Sequence, residues 1–199
     1  MKVIGLCGGS GSGKSIVSKC FFNRGVPSLD TDAVYHTMVE SSSECSSALI
    51  NEFGESIKNS EGGVNRKVLA DIVFGFDSEN KLKKLNSISH FYILKHCREW
   101  LSEQERKGVK AAIIDAPVLF ESGFDRECDL TVAVIASSEL RIERIKKRDK
   151  TTEEDAKKRI KNQADDDFLV KNADYVIYNN TTEQELDLQV EKICRLILR

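Results

Sequence analysis

A glycine-rich octapeptide between a short apolar run and a helical stretch constrains this chain more than any other feature. It reads Gly8-Gly9-Ser10-Gly11-Ser12-Gly13-Lys14-Ser15, a match to G-x-x-x-x-G-K-[ST]. Val3–Cys7 before it has the β-branched, apolar character of a buried strand, and Val17, Phe21 and Phe22 after it are expected to supply a helix's buried face. Glycines there let the backbone wrap closely around phosphate with its N–H groups turned inward. The helix that follows offers its positive end to the same anion. The loop is therefore expected to bind the phosphates of ATP. Lys14 is expected to reach the β- and γ-phosphates, and the Ser15 hydroxyl to ligate Mg²⁺.

The rest of the chain alternates in a way that suits such a loop. Further short apolar runs occur at Val26–Leu29, Ala111–Ile114, Leu130–Ala136 and Tyr175–Tyr178, separated by segments of helical period. That order predicts an α/β fold, a P-loop NTPase-type parallel sheet flanked by helices. Between the second and third runs the chain is far longer than one crossover needs. Leu82, Leu85, Ile88, Phe91 and Trp100 suggest amphipathic helices in that interval. We read the whole as one domain with a helical insertion over about 35–105 and a lid over about 138–168. Thr182 and Glu185 form a capping-box pair before Leu186, Val190, Ile193 and Ile197, which recur at helical spacing.

Composition excludes several classes. A chain of 199 residues with 40% hydrophobic and 31% charged residues can bury a core without disulfide or metal staples. A net charge of −2 opposes a broad nucleic-acid or membrane surface, and no apolar run is long enough to cross a bilayer. A cytoplasmic location is expected, with no nucleic-acid, membrane or obligate protein partner. Six scattered cysteines without a CxxC pair, and His90 and His96 off the i, i+4 spacing, speak for packing roles rather than a zinc site.

In an open parallel sheet, ligands bind beyond the carboxyl ends of the strands. Asp30-Thr31-Asp32 follows the second run, and Asp32 is expected to orient an acceptor hydroxyl and take its proton. Asp30 has the alternatives of holding a metal-bound water or a backbone group. Asp115, ending the third run, is either a Walker-B-like aspartate assisting Mg²⁺ through water or a strand-end residue with local bonds only. Pro117 to Phe120 reads as a wall beside it, with Glu121 as a polar contact. After the fourth run, Arg141, Arg144 and Arg148 fall on one helical stripe. Arg144 and Arg148 are expected to close over ATP as lid arginines and neutralise the transferring phosphoryl group. The lysines around them read as a solvated face.

Together these segments resemble the dephospho-CoA kinase family. The resemblance rests on Gly5–Ser15, Leu29-Asp-Thr-Asp32, Asp115-Ala-Pro-Val-Leu-Phe-Glu121, Arg144-Ile-Lys-Lys-Arg148-Asp149, Arg159-Ile-Lys-Asn-Gln163 and Asn179-Asn180, in that order. It implies transfer of phosphate from MgATP to the 3′-hydroxyl of dephospho-CoA, with Gly11, Ser12, Gly13, Lys14, Ser15 and Ile16 binding the ATP phosphates, Asp32 as base, Arg144 and Arg148 on a lid, and Gln163 in a segment facing substrate. Ser10, Ile16 and Thr31 depart from the family's usual residues, and Phe91 after His90 stands where it usually has proline. A different small-molecule kinase would share the same core. A guanine-reading switch would need N-K-x-D, and Asn80-Lys81 is followed by Leu82-Lys83.

Overall fold

The computed structural model describes residues 1–75 and 79–198. Two compact units emerge, one comprising Met1–Leu29 with Leu101–Arg199, the other Asp30–Trp100.

The first unit is built on a five-stranded sheet. Strands β1 (Lys2–Cys7), β2 (Ser28–Asp30), β3 (Ala111–Asp115), β4 (Leu130–Ile135) and β5 (Tyr175–Tyr178) lie in the order β2-β3-β1-β4-β5. The pairings of β1 with β3, β1 with β4, and β4 with β5 are all parallel, as the alternating pattern predicts. Ile4, Leu6, Ile113, Ile114, Val132 and Val134 are wholly buried, which is why these strands read as continuous apolar runs. Helices α1 (Lys14–Phe22) and α9 (Glu183–Ile197) contribute Val17 and Phe21, and Leu186, Val190 and Ile193, to one core with the strands. Phe22 departs from the expected buried face and is 65% exposed. It stands one residue past Phe21, about 100° further round the helix, whereas Val17 and Phe21 are four apart and share a side. The Thr182 hydroxyl accepts the Glu185 N–H and starts α9 where the sequence signalled it.

Asp129 anchors the start of β1 to the turn before β4. Its carboxylate accepts the Val3 N–H at 2.7 Å and Lys2 Nζ at 3.2 Å. The Val3 N–H, and after it Lys2, holds this carboxyl below its ordinary value of 3.8. A lowered folded value means the contribution is present above 3.8 and is lost as the pH falls through the folded value. Asp129→Asn is expected to lower Tm by about 2 °C near neutral pH. That difference should vanish in acid; a gap of the same size on both sides of the carboxylate range would refute the assignment.

The second unit is helical. It contains α2 (Thr31–Glu40), α3 (Glu44–Phe53), α4 (Arg66–Val73) and most of the long α5 (Glu79–Arg106). Val39, Leu49, Ile57, Val64, Leu69 and Val73 form its core, with Leu85, Ile88 and Tyr92 of α5 packed against them. Those three α5 residues make one stripe at i, i+3 and i+7. Phe91 was expected on that stripe but is 62% exposed, because it precedes Tyr92 by one residue and so points off the packed side.

Candidate functional site

The phosphate loop begins where β1 ends. Because β1 and β3 run parallel with Leu6 opposite Asp115, the last residue of β3 arrives level with the start of the loop. On the other side Cys7 is opposite Ala133 of β4, and the Asn179 N–H donates to Ile135 O at 2.8 Å. Register alone therefore brings the carboxyl ends of β3, β4 and β5 to the loop.

Inside the loop, Ser12 N–H donates to Gly9 O at 3.1 Å and Ile16 N–H to Gly13 O at 3.0 Å. Gly13 caps α1 with φ 94°, a left-handed conformation that disfavours a side chain. A Cβ there would also overlap Asn179 Nδ2, so both backbone and space demand glycine. No side chain caps α1, and its first turn carries no acidic residue. Its leading N–H groups and the positive end of its dipole are thus left for an anion. The Ser12 hydroxyl is 1% exposed as a residue and has no hydrogen-bond partner among the described residues. Buried hydroxyls are rarely left so, and a phosphate oxygen would satisfy this one.

Lys14 Nζ lies 3.8 Å from Asp115 Oδ1, with both side chains largely covered. Asp115 Oδ2 accepts from Ser18 Oγ at 3.3 Å. Ser15, one residue along α1, is exposed. Among the described residues no group of three or more His, Cys, Asp or Glu could hold a metal ion by itself. A divalent cation here would take most of its oxygens from phosphate and water, as Mg²⁺ usually does. The Ser15 hydroxyl and the Asp115 carboxylate fit that limited share. Burial pushes the Cys7 thiol, at the base of the loop, up to about 12, so it stays protonated and serves packing.

Helix α6 (Ser138–Asp149) follows β4, and its three arginines do not share one environment. Arg144 donates through Nη1 to Gly11 O (3.1 Å) and Ser12 O (3.4 Å), and through Nη2 to Asn179 O (3.1 Å). Asn179, 4% exposed, sends its amide to the same Ser12 O at 2.7 Å. Arg148, one turn on, is exposed and donates to both carboxylate oxygens of Asp149, at 2.7 and 3.0 Å. Arg159 of α7 (Glu153–Lys161) donates to that carboxylate as well. Arg141 is 3% exposed and bonds to the loop's crest, together with Gln163.

In the second unit, Asp30 caps α2: its carboxylate accepts the N–H groups of Asp32 (2.9 Å) and Ala33 (3.1 Å). Of the alternatives left for Asp30, it holds backbone. Asp32 is exposed in the first turn of α2, directly after β2. Glu121 is exposed in the stretch after β3.

A parallel sheet with a G-x-x-x-x-G-K-S loop at its central strand, an uncapped helix behind the loop and a carboxylate at the neighbouring strand's end define a P-loop NTPase-type nucleotide site. The dephospho-CoA kinase family model matches residues 2–185. A dephospho-CoA kinase of Fusobacterium nucleatum is 39% identical over 195 residues, covering 98% of each chain. The crystal structure of TT1252 from Thermus thermophilus superposes with a TM-score of 0.83 at 26% identity, over 98% of this chain and 97% of that one. A dephospho-CoA kinase from Campylobacter jejuni has the same fold, with a TM-score of 0.62 at 23% identity over 98% and 97% of the two chains. This chain belongs to the dephospho-CoA kinase family.

Proposed function

We propose that the chain transfers the γ-phosphoryl group of ATP to the 3′-hydroxyl of dephospho-CoA, giving ADP and coenzyme A, the final step of coenzyme A biosynthesis. The observation that carries the chemistry is the uncapped N-terminus of α1, set behind a loop that keeps a buried, unpartnered hydroxyl and a covered lysine. Family membership carries the acceptor.

In this reading the loop residues Gly11 to Ile16 cradle the β- and γ-phosphates, and Lys14 neutralises charge that grows on the transferring group. Arg144 holds the Gly11 and Ser12 carbonyls, which fixes those two peptides, the second of which carries the Gly13 N–H toward the anion. Arg148 supplies a second guanidinium on the same helix, released from Asp149 when it engages phosphate. Mg²⁺, when bound, would supply charge neutralisation to the phosphates, and Ser15 and Asp115 would be the residues to hold it. Asp32 orients the 3′-hydroxyl. The oxygen of that hydroxyl bonds to the γ-phosphorus, the bond to the β–γ bridging oxygen breaks with its electrons leaving on ADP, and the hydroxyl proton passes to the Asp32 carboxylate.

The acceptor is tested by a panel. Dephospho-CoA is expected to show a kcat/KM at least ~100-fold above adenosine or AMP, because contacts to the rest of the molecule are spent in the transition state. Similar values for all three would remove dephospho-CoA as the substrate while leaving a kinase.

A further inference from the structure

The loop motif leaves its second position open, yet this chain has glycine there, and the structure supplies a reason. Gly9 is not among the residues with a left-handed backbone, so φ does not demand glycine. Space does. A Cβ on Gly9 would overlap Arg141 Nη2, and would stand 2.8 Å from Arg141 Cζ and 3.0 Å from Gln163 Oε1.

Those two side chains grip the next residue, Ser10, at every polar atom it has. Arg141 Nε donates to Ser10 O at 2.9 Å. Ser10 N–H donates to Gln163 Oε1 at 2.8 Å, and Gln163 Nε2 donates to Ser10 Oγ at 3.0 Å. Arg141 Nη2 also donates to Gln163 Oε1 at 3.1 Å, which fixes the amide's orientation. Nη1 is held by both carboxylate oxygens of Asp166, at 3.0 and 3.2 Å, at the first position of α8 (Asp166–Asn172). An arginine 3% exposed with all three nitrogens engaged is a rigid part, not a solvated side chain.

We propose that Arg141, Gln163 and Asp166 are positioning residues that clamp the crest of the phosphate loop and hold it in its nucleotide-binding shape before the nucleotide arrives. They touch no reacting atom. Their effect passes through Ser10 to the N–H groups that follow it in the loop. Without the clamp those peptides must be ordered at the expense of ATP binding, so the cost falls on affinity and not on the chemical step once ATP is saturating. The inference rests on the proposed ATP role of the loop.

The test is a two-variant cycle read by calorimetric binding of ATP, with kcat measured at saturating ATP. Gln163→Ala removes both bonds to Ser10 from the far side, and Gly9→Ala displaces the same clamp from the loop side. Each single variant is expected to raise the ATP Kd about 10-fold and to keep kcat within about 3-fold. Because both disable one device, the double variant should lie near 10- to 20-fold rather than the ~100-fold of independent sites. A merely structural role would lower Tm in all three without changing ATP affinity. ATP Kd values within about 2-fold of the parent for both singles, or a fully multiplicative double, would overturn the proposal. A parent protein that binds ATP but leaves dephospho-CoA unmodified overturns the acceptor, while the ATP affinities still decide the clamp.

Discussion

Lys14→Ala is expected to lower kcat by about 10³-fold while the protein stays folded. Among the described residues the ammonium is the one lysine charge covered beside the loop, and its nearest acidic neighbour, Asp115 Oδ1, is 3.8 Å away, beyond hydrogen-bond reach. In the proposed mechanism its main partner is the triphosphate and not the core. Removing it takes the ammonium away from Asp115, whose Oδ2 keeps the Ser18 bond at 3.3 Å. A small loss of Tm, of a few degrees, should accompany the loss of turnover. Circular dichroism, thermal melting and a turnover assay read the two effects separately. A folded variant with near-normal kcat would take the loop out of the mechanism.

Asp32→Asn is expected to lower kcat by about 10²- to 10⁴-fold, the usual cost of losing a positioned general base. Asparagine keeps the size and much of the hydrogen bonding but cannot take the proton. ATP affinity should change by less than about 10-fold, because positioning of phosphate does not pass through this side chain. Asp30→Asn is the control from the same turn. Asp30 accepts the N–H groups of Asp32 and Ala33 as the cap of α2, and asparagine caps nearly as well as aspartate. Its kcat should stay within about 3-fold of the parent. If Asp30→Asn is the more damaging, the base is the other carboxylate; if neither matters, no base comes from this segment.

How much of this was legible beforehand depended on how far each signal reaches along the chain. The loop, β1 and α1 are contiguous, and the pattern of one strand, six glycine and serine positions and a helix declares itself locally. Strand ends were legible for the same reason: Asp115 and Asn179 each close an apolar run, and parallel pairing then brings them to the loop. The stripe through Arg141, Arg144 and Arg148 was also visible, but helical period cannot say what a stripe faces. Arg141 meets Ser10 and Arg144 meets Gly11 across 131 and 133 residues of sequence, while Arg148 stays with its neighbour Asp149. Gln163 entered only through family resemblance, in a segment facing substrate. That it holds the crest of the loop, 153 residues away, has no local signature, since a glutamine just past a charged helix is usually solvated. Phe22 and Phe91 show the reverse error. Both are large and apolar, and both sit one residue off the packed stripe, where size argues for burial and geometry against it.

The most direct test of the central claim is phosphorus NMR of the parent protein turning over ATP and dephospho-CoA. The account predicts a new 3′-phosphomonoester on the acceptor, appearing in step with ADP, with no inorganic phosphate formed at a comparable rate. ADP and inorganic phosphate rising together, unaffected by dephospho-CoA and without a new phosphomonoester, would contradict it.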